Sequence, residues 1–198
     1  SYEGGQFFYA NHLALYPKEY QEASINLRYD NISPVRITKL SVACCPANLA
    51  RTIASIGQYV YSISENGLFV HLYDNSSVPV SVGGQTAVIT QSGNYPWDGK
   101  IRFDVACPDG MEFDLMLRIP GWCKHYAIKI NGREITPPIE KGYAALRQAW
   151  NAGDMVELTL TMEPVLITAN PKVRQDAGRV AIQRGPLVYC IEEVDNGK

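Results

Sequence analysis

The chain has 198 residues, 46% of them hydrophobic, and a net charge of −2 from 18 basic and 20 acidic residues. This length supports one hydrophobic core and part of a second, and the nearly balanced charge without a basic stripe argues against nucleic acid as a partner. No apolar run approaches the roughly 20 residues that cross a bilayer, and five irregularly spaced cysteines do not form a disulfide framework. We therefore expect a protein without a membrane span, in a reducing compartment such as the cytoplasm, with a bacterial periplasm as the alternative.

The first 40 residues show little regular periodicity. An aromatic cluster stands at Phe7–Tyr9, and His12 follows it closely. Pro17 and Pro34 interrupt any long helix, because proline lacks the backbone N–H and clashes with the preceding turn. The periodicity alone therefore predicts no long helix here.

A short amphipathic helix is predicted over Pro46–Ile56. Leu49, Ile53 and Ile56 recur at helical spacing, and the segment begins with a proline suited to the first helical position. Gly57 suits a left-handed cap at the C-terminal end. The pattern therefore indicates a helix of about three turns.

Two adjacent cysteines, Cys44 and Cys45, stand where this helix begins. A vicinal pair closes a disulfide only through a strained eight-membered ring, so two thiols are expected. Unpaired N–H groups and the positive end of the helix dipole favour thiolate over thiol at such a place. The residues alone leave two interpretations open, namely small buried hydrophobes beside a packed helix, or a nucleophile and metal ligands.

After Gly57 nearly every segment alternates with a period of two, and Asn131-Gly132 is a strong hairpin signal. The predicted strands are Tyr59–Ile63, Leu68–Tyr73, Val78–Val82, Thr86–Gln91, Ile101–Ala106, Glu112–Ile119, Tyr126–Ile130, Met155–Thr161, Val165–Thr168, Val180–Gln183 and Leu187–Ile191. Short strands separated by turn residues indicate a mainly β fold, with a β-sandwich over residues 58–168. Residues 169–198 are expected to be a connection followed by strands of a further β element.

Several aromatic and sulfur-containing residues in the strand region have a structural and a functional interpretation. His71 lies among apolar strand residues and is expected to be a satisfied structural histidine. Trp97, Trp122 and Trp150 could stack on sugar rings, although the core is the favoured place for sandwich aromatics. The remaining cysteines are expected to be packing residues: Cys107, Cys123 and Cys190.

Four stretches of the chain resemble a known enzyme family. The run ACCPANLARTIASIGQYVYS (Ala43–Ser62) is similar to the Cys-Cys-Pro-X-Asn-X-Ala-Arg segment of the β-L-arabinofuranosidases of glycoside hydrolase family 127. Phe7–Leu15, Leu117–Cys123 and Gly178–Glu192 also agree with that family, in the same order. The resemblance therefore touches nearly the whole chain.

The resemblance implies an (α/α)6 barrel that carries the active site, followed by β-sandwich domains. Residues 1–57 would then be the C-terminal segment of the barrel, with His12 near the substrate. In this family one glutamate and three cysteines hold zinc, and one of those cysteines is the nucleophile of a retaining glycosidase. Cys44 matches the nucleophile and Cys45 a second zinc ligand, whereas the other ligands and the acid/base glutamate belong to an earlier segment without a counterpart here.

Two functions are therefore expected as alternatives. The first is the C-terminal part of a retaining, zinc-dependent glycoside hydrolase that acts on arabinofuranosides in plant-type arabinose-containing glycans or oligosaccharides. Such a chain would need the missing N-terminal barrel portion as a partner and would be inactive alone. The second is a noncatalytic β-sandwich module for carbohydrate binding or barrel support. In either case apolar surface near Leu49 and Ile53 would be exposed, which also predicts a homo-oligomer.

Overall fold

The computed structural model of this chain describes Thr38 and residues 44–191. These residues form one α-helix, fourteen strands and two short 3-10 turns, which confirms the mainly β fold class. Helix α1 spans Cys44–Ser55, and the 3-10 turns span Ile56–Tyr59 and Arg174–Asp176. The strands are β1 (Tyr61–Ser64), β2 (Gly67–Val70), β3 (Ser76–Val82), β4 (Gln85–Gly93), β5 (Lys100–Ala106), β6 (Met111–Arg118), β7 (Tyr126–Ile130), β8 (Arg133–Ile135), β9 (Ile139–Glu140), β10 (Tyr143–Trp150), β11 (Met155–Leu160), β12 (Pro164–Thr168), β13 (Val180–Arg184) and β14 (Leu187–Tyr189).

Helix α1 begins two residues earlier than predicted, so that both cysteines lie within its first turn. Pro46 falls in the same turn, where a backbone N–H has no intrahelical partner and its absence costs nothing. The predicted left-handed cap at Gly57 is wrong, because the chain continues through the 3-10 turn Ile56–Tyr59 and Gly57 has no left-handed φ. A 3-10 turn at the end of a helix gives some of the terminal carbonyl groups hydrogen-bond partners, so a left-handed glycine is not required there. No helix within residues 44–191 is long and apolar enough to cross a membrane.

Two facing sheets form the sandwich, as predicted. One sheet has the strand order β1-β2-β6-β10-β9 and the other β3-β4-β5-β11-β7-β8. Their inner faces share one buried cluster, in which Leu115 and Leu117 of β6 pack with Phe103 of β5 and Leu158 of β11. Alternation along these strands places every second side chain in that core.

A third sheet, in the order β12-β13-β14, follows the sandwich. Strand β12 was predicted within the sandwich region but pairs with β13, so the sandwich sheets end with β11. The Arg184 guanidinium donates a hydrogen bond of 2.9 Å to the backbone carbonyl of Trp97. Gly185, with φ +59°, lies so close to Met162 that a Cβ would come within 2.9 Å of the Met162 Cγ. These contacts fix the third sheet against the sandwich.

Strand β10 was missed by the sequence analysis, although it lies inside its sheet. It pairs with β6 over its whole length, from Tyr143 opposite Arg118 to Trp150 opposite Met111. Its sequence YAALRQAW is rich in residues of low β propensity, so its strand conformation depends on this pairing. The short strand β9 was missed as well, whereas β8 was implied by the hairpin signal but was given no bounds.

The turn between β7 and β8 confirms the predicted hairpin. Asn131 and Gly132 have φ values of 51° and 79°, as a type I′ turn requires. Ile130 and Arg133 are paired directly across it. The Asn131 side chain also donates to Asp154 at 2.8 Å and accepts from the Met155 N–H at 2.9 Å.

A close approach between β2 and β6 requires glycine at position 67. Strand β2 pairs in parallel with β6, and a Cβ on Gly67 would lie 2.0 Å from the backbone oxygen of Asp114. We therefore expect Gly67→Ala to displace the two strands and to lower the free energy of unfolding by about 1–3 kcal/mol. Urea denaturation of the 198-residue chain measures this change.

Gly121→Ala is the matched control for this substitution. Gly121 is exposed, has no left-handed φ, and no atom lies within 4 Å of an added Cβ. Its unfolding free energy is expected to change by less than about 1 kcal/mol. Equal destabilisation by both substitutions would contradict the steric explanation.

Candidate functional site

The adjacent cysteines lie at the start of α1, as the sequence predicted. Helix α1 begins at Cys44, and the Cys44 side chain is exposed. Backbone N–H groups in this first turn have no intrahelical partner, and the helix dipole places partial positive charge there. Both effects stabilise a thiolate. The interpretation of Cys44 as a buried packing residue is therefore wrong, and its role as a nucleophile and metal ligand stays a prediction.

A polar pair follows the cysteines on the same helix. The Arg51 guanidinium donates to the side-chain oxygen of Asn48, and the Thr52 hydroxyl donates to the Asn48 backbone carbonyl at 2.9 Å. Asn48 stands four residues after Cys44, so the two residues share one face of the helix. Sequence analysis used Asn48 and Arg51 only as parts of a motif and did not predict this pairing.

Large apolar side chains of α1 and of the turn after it are exposed, as predicted. The exposed fractions are 62% for Leu49, 62% for Ile53 and 45% for Ile56. A stripe of this kind on a short helix is typical of a surface that packs against another element. This arrangement suits a helix whose packing partners lie outside the described residues.

A metal site needs several donor side chains that lie close together. Within residues 44–191, no three side chains of His, Cys, Asp or Glu lie close enough together to share a metal ion. Two thiolates in one helical turn are donors that zinc prefers, but zinc sites have three or four protein ligands. The two cysteines alone would therefore not complete a zinc site, and zinc binding stays a prediction.

The predicted histidine sites have different outcomes. His12 and the Phe7–Tyr9 cluster lie outside the described residues, so the substrate-binding role of His12 stays a prediction. The structural role of His71 is confirmed, because its ring nitrogens form 2.7 Å hydrogen bonds to the hydroxyl groups of Tyr143 and Ser62. Burial, and secondly the positive charge of Arg118, lower the pKa of His71.

The three tryptophans occupy three different environments. Trp150 is fully buried in the core, Trp122 is half-buried against it, and Trp97 is 64% exposed. The favoured core interpretation is therefore wrong for Trp97, which lies in the loop between β4 and β5. Loop residues need not follow the alternation that places strand residues inside.

Two of the three later cysteines are packing residues, as predicted. Cys107 and Cys123 pack partly buried against the core, and burial raises the pKa of both thiols. The prediction is wrong for Cys190, which is exposed. It directly follows β14 in the chain, outside the strands of the third sheet.

Comparison with known protein families gives two adjacent matches. Residues 67–162 match the family described as "Beta-L-arabinofuranosidase, GH127 middle domain". Residues 164–198 match "Glycoside hydrolase family 127 C-terminal domain". The first match covers the paired strands of the sandwich from β2 to β11, and the second begins with the third sheet.

Individual relatives agree with these matches. The chain is 36% identical over 204 residues to a non-reducing end β-L-arabinofuranosidase of Bifidobacterium longum subsp. longum, covering 99% of this chain and 30% of the relative. A crystal structure of a GH127 β-L-arabinofuranosidase from Geobacillus stearothermophilus T6 is 47% identical, with a TM-score of 0.88 over 98% of this chain and 30% of that one. A GH127 β-arabinofuranosidase structure is 32% identical, with a TM-score of 0.78 over 98% and 31%. The chain thus spans about 30% of the length of such relatives.

Proposed function

Because the chain belongs to glycoside hydrolase family 127, we propose that it is the C-terminal part of a retaining enzyme that hydrolyses β-L-arabinofuranosides. In this proposal Cys44 is the nucleophile. The observation that carries it is the exposed Cys44 thiol in the first turn of α1, within the Cys-Cys-Pro motif. The relatives named above act on the same sugar class.

In the proposed reaction a cysteine thiolate takes the place of the usual carboxylate nucleophile. The Cys44 thiolate attacks the anomeric carbon and forms a thioglycosyl bond. The glycosidic C–O bond breaks in the same step, and the leaving oxygen takes a proton from an acid/base carboxylic acid, which becomes a carboxylate. The same carboxylate then takes a proton from water, which cleaves the carbon–sulfur bond and regenerates the thiolate. The carboxylate is supplied by a part of the enzyme outside the described residues.

Cys44 and Cys45 would also hold zinc together with donors from the rest of the enzyme. Bound zinc would keep a coordinated thiol deprotonated at neutral pH. The thiolate preference of the helix N-terminus acts in the same direction. Two protein donors alone bind zinc weakly, so we expect the 198-residue chain by itself to be inactive.

The remaining partners follow from the same proposal. The exposed Leu49 and Ile53 would pack against the N-terminal barrel portion or, in the isolated chain, against a second copy. The substrates would be arabinose-containing plant glycans or oligosaccharides, and the enzyme would work in a bacterial cytoplasm or periplasm. In this proposal the β-sheets support the catalytic portion of the enzyme.

A noncatalytic β-sandwich module is the second candidate function. It is favoured by the predominance of strands within residues 44–191 and by the lack of a three-donor metal site among them. Such a module would support a barrel or bind carbohydrate without turnover. Activity of the full-length protein separates the two candidates.

The proposed function is tested by covalent trapping in the full-length protein. We expect a cysteine-reactive β-L-arabinofuranose analogue to label Cys44 at one molecule per chain, with activity lost in proportion to labelling. Peptide mapping by mass spectrometry locates the label, and metal analysis measures zinc in the same sample. The Cys44→Ser protein serves as the control and should stay unlabelled. A label on Cys45 would refute Cys44 as the nucleophile, whereas a full-length protein without turnover and without zinc would favour the module.

A further inference from the structure

A pocket of about 290 Å³ opens between the sandwich and the third sheet. One wall is the loop after β6, with Trp122, Lys124 and His125, and the opposite wall is formed by β12 and β13. Thr161 and Glu163, in the connection from β11 to β12, also line the pocket. None of the lining residues belongs to α1, so this pocket contains neither Cys44 nor Cys45.

Hydrogen bonds fix the loop that forms the first wall. The Cys123 N–H donates to the Pro120 carbonyl at 2.9 Å, and the Thr161 N–H donates to the His125 carbonyl at 2.9 Å. The Cys123 thiol donates to the same His125 carbonyl at 3.1 Å. Burial raises the pKa of Cys123, which keeps the thiol protonated and able to donate. A loop held in this way loses little conformational entropy when a ligand binds.

The opposite wall is fixed by the turn between β13 and β14. The Gln183 amide donates to the Gly185 carbonyl at 2.8 Å, which orients the side chain that lines the pocket. Gly185 packs directly on Met162, and Arg184 is bonded to the Trp97 carbonyl. Both walls therefore exist before any ligand arrives.

The lining combines apolar and polar groups in the way that a sugar ring requires. Trp122, Val165 and Ile167 offer apolar surface for the C–H face of a ring. Hydroxyl groups would find donors and acceptors on His125, Thr161 and the Gln183 amide. Lys124 and Glu163 carry opposite charges, so the pocket favours a neutral ligand over a phosphate or a cation. The volume lies near the lower limit of small-molecule sites, which suits a single ring.

We propose that this pocket binds one neutral sugar ring of the glycan substrate without cleaving it. The lining indicates a neutral sugar ring as the ligand. The choice of arabinose as that sugar rests on the function proposed above. Such a pocket would hold a branched glycan on the enzyme while other residues of the same glycan are hydrolysed. Avidity of this kind raises the local concentration of substrate without any change in the reaction itself.

Tryptophan fluorescence and calorimetry of the 198-residue chain test the proposal, with a β-L-arabinofuranosyl disaccharide as the probe. We expect saturable binding at one site. Trp122→Ala should weaken it by about tenfold, because the ring loses its stacking surface. Trp97→Ala is the matched control, since Trp97 is exposed, does not line the pocket, and keeps its backbone carbonyl for Arg184. The Trp97→Ala chain should bind the disaccharide with the same affinity as the unchanged chain.

Two further variants keep the test decisive if the Trp122→Ala chain does not fold. Lys124 and Glu163 are exposed, so Lys124→Ala and Glu163→Gln should leave the thermal unfolding midpoint unchanged while weakening binding severalfold. Lys172→Ala is the control for the first, because Lys172 is exposed outside the pocket. Absence of saturable binding, or equal loss with Trp97→Ala, would overturn the proposal. Binding to the full-length Cys44→Ser protein that Trp122→Ala weakens supports the pocket, whereas failure of hydrolysis in the unchanged full-length protein contradicts only the proposed function.

Discussion

Replacing Cys44 with serine in the full-length protein is expected to lower kcat by about a thousandfold or more. A serine hydroxyl is a far poorer nucleophile and zinc ligand than a thiolate, and the helix N-terminus that stabilises a thiolate does not ionise an alcohol at neutral pH. Loss of a covalent nucleophile has effects of this size or larger in other hydrolases. Initial rates with a chromogenic β-L-arabinofuranoside measure the change.

Cys45→Ser is the matched control, because it makes the same chemical change one residue later in the same helical turn. Its main effect should be lower zinc occupancy, with activity falling in proportion and recovering partly in excess zinc. Metal analysis beside the kinetics separates the two roles. A Cys44→Ser enzyme with near-normal rates and zinc bound would refute the assignment of the nucleophile.

Trp150→Ala is expected to cause the largest loss of stability, about 3–5 kcal/mol in the free energy of unfolding. Trp150 is fully buried and stacks on Phe113, with ring centroids 5.5 Å apart. Its indole N–H donates to the Phe113 carbonyl at 2.9 Å, so the substitution leaves a cavity and also removes a buried hydrogen bond. Urea denaturation followed by circular dichroism gives the difference.

Trp97→Ala provides the comparison, because it removes the same atoms from a side chain that is 64% exposed. Its unfolding free energy should change by less than about 0.5 kcal/mol. The backbone carbonyl of Trp97 that accepts from Arg184 is retained. Similar losses for the two substitutions would mean that burial of Trp150 does not support the sandwich.

Elements specified by local patterns were predicted correctly. Strand β7 was placed at its observed bounds, because alternation of side chains and the Asn131-Gly132 turn both act within a few residues. The helix start beside the two cysteines was predicted for the same reason, since amphipathic spacing and a first-turn proline are local signals. The roles of Cys44 and Cys45 are implied by the resemblance to the family and stay predictions, because no spacing rule supplies them.

The sequence by itself thus determined the mainly β class, the helix that carries the cysteines, and the hairpin of β7 and β8. The tertiary structure decided which strands pair. Strand β10 is a strand because β6 binds it along its length, and β12 joins the third sheet because β13 is its partner. The pocket around Trp122 also exists only in the folded chain, because Glu163 and Gln183 come from segments distant in sequence. Hydrogen bonding and burial between distant segments leave no periodic signal in the chain, whereas turns and alternation do.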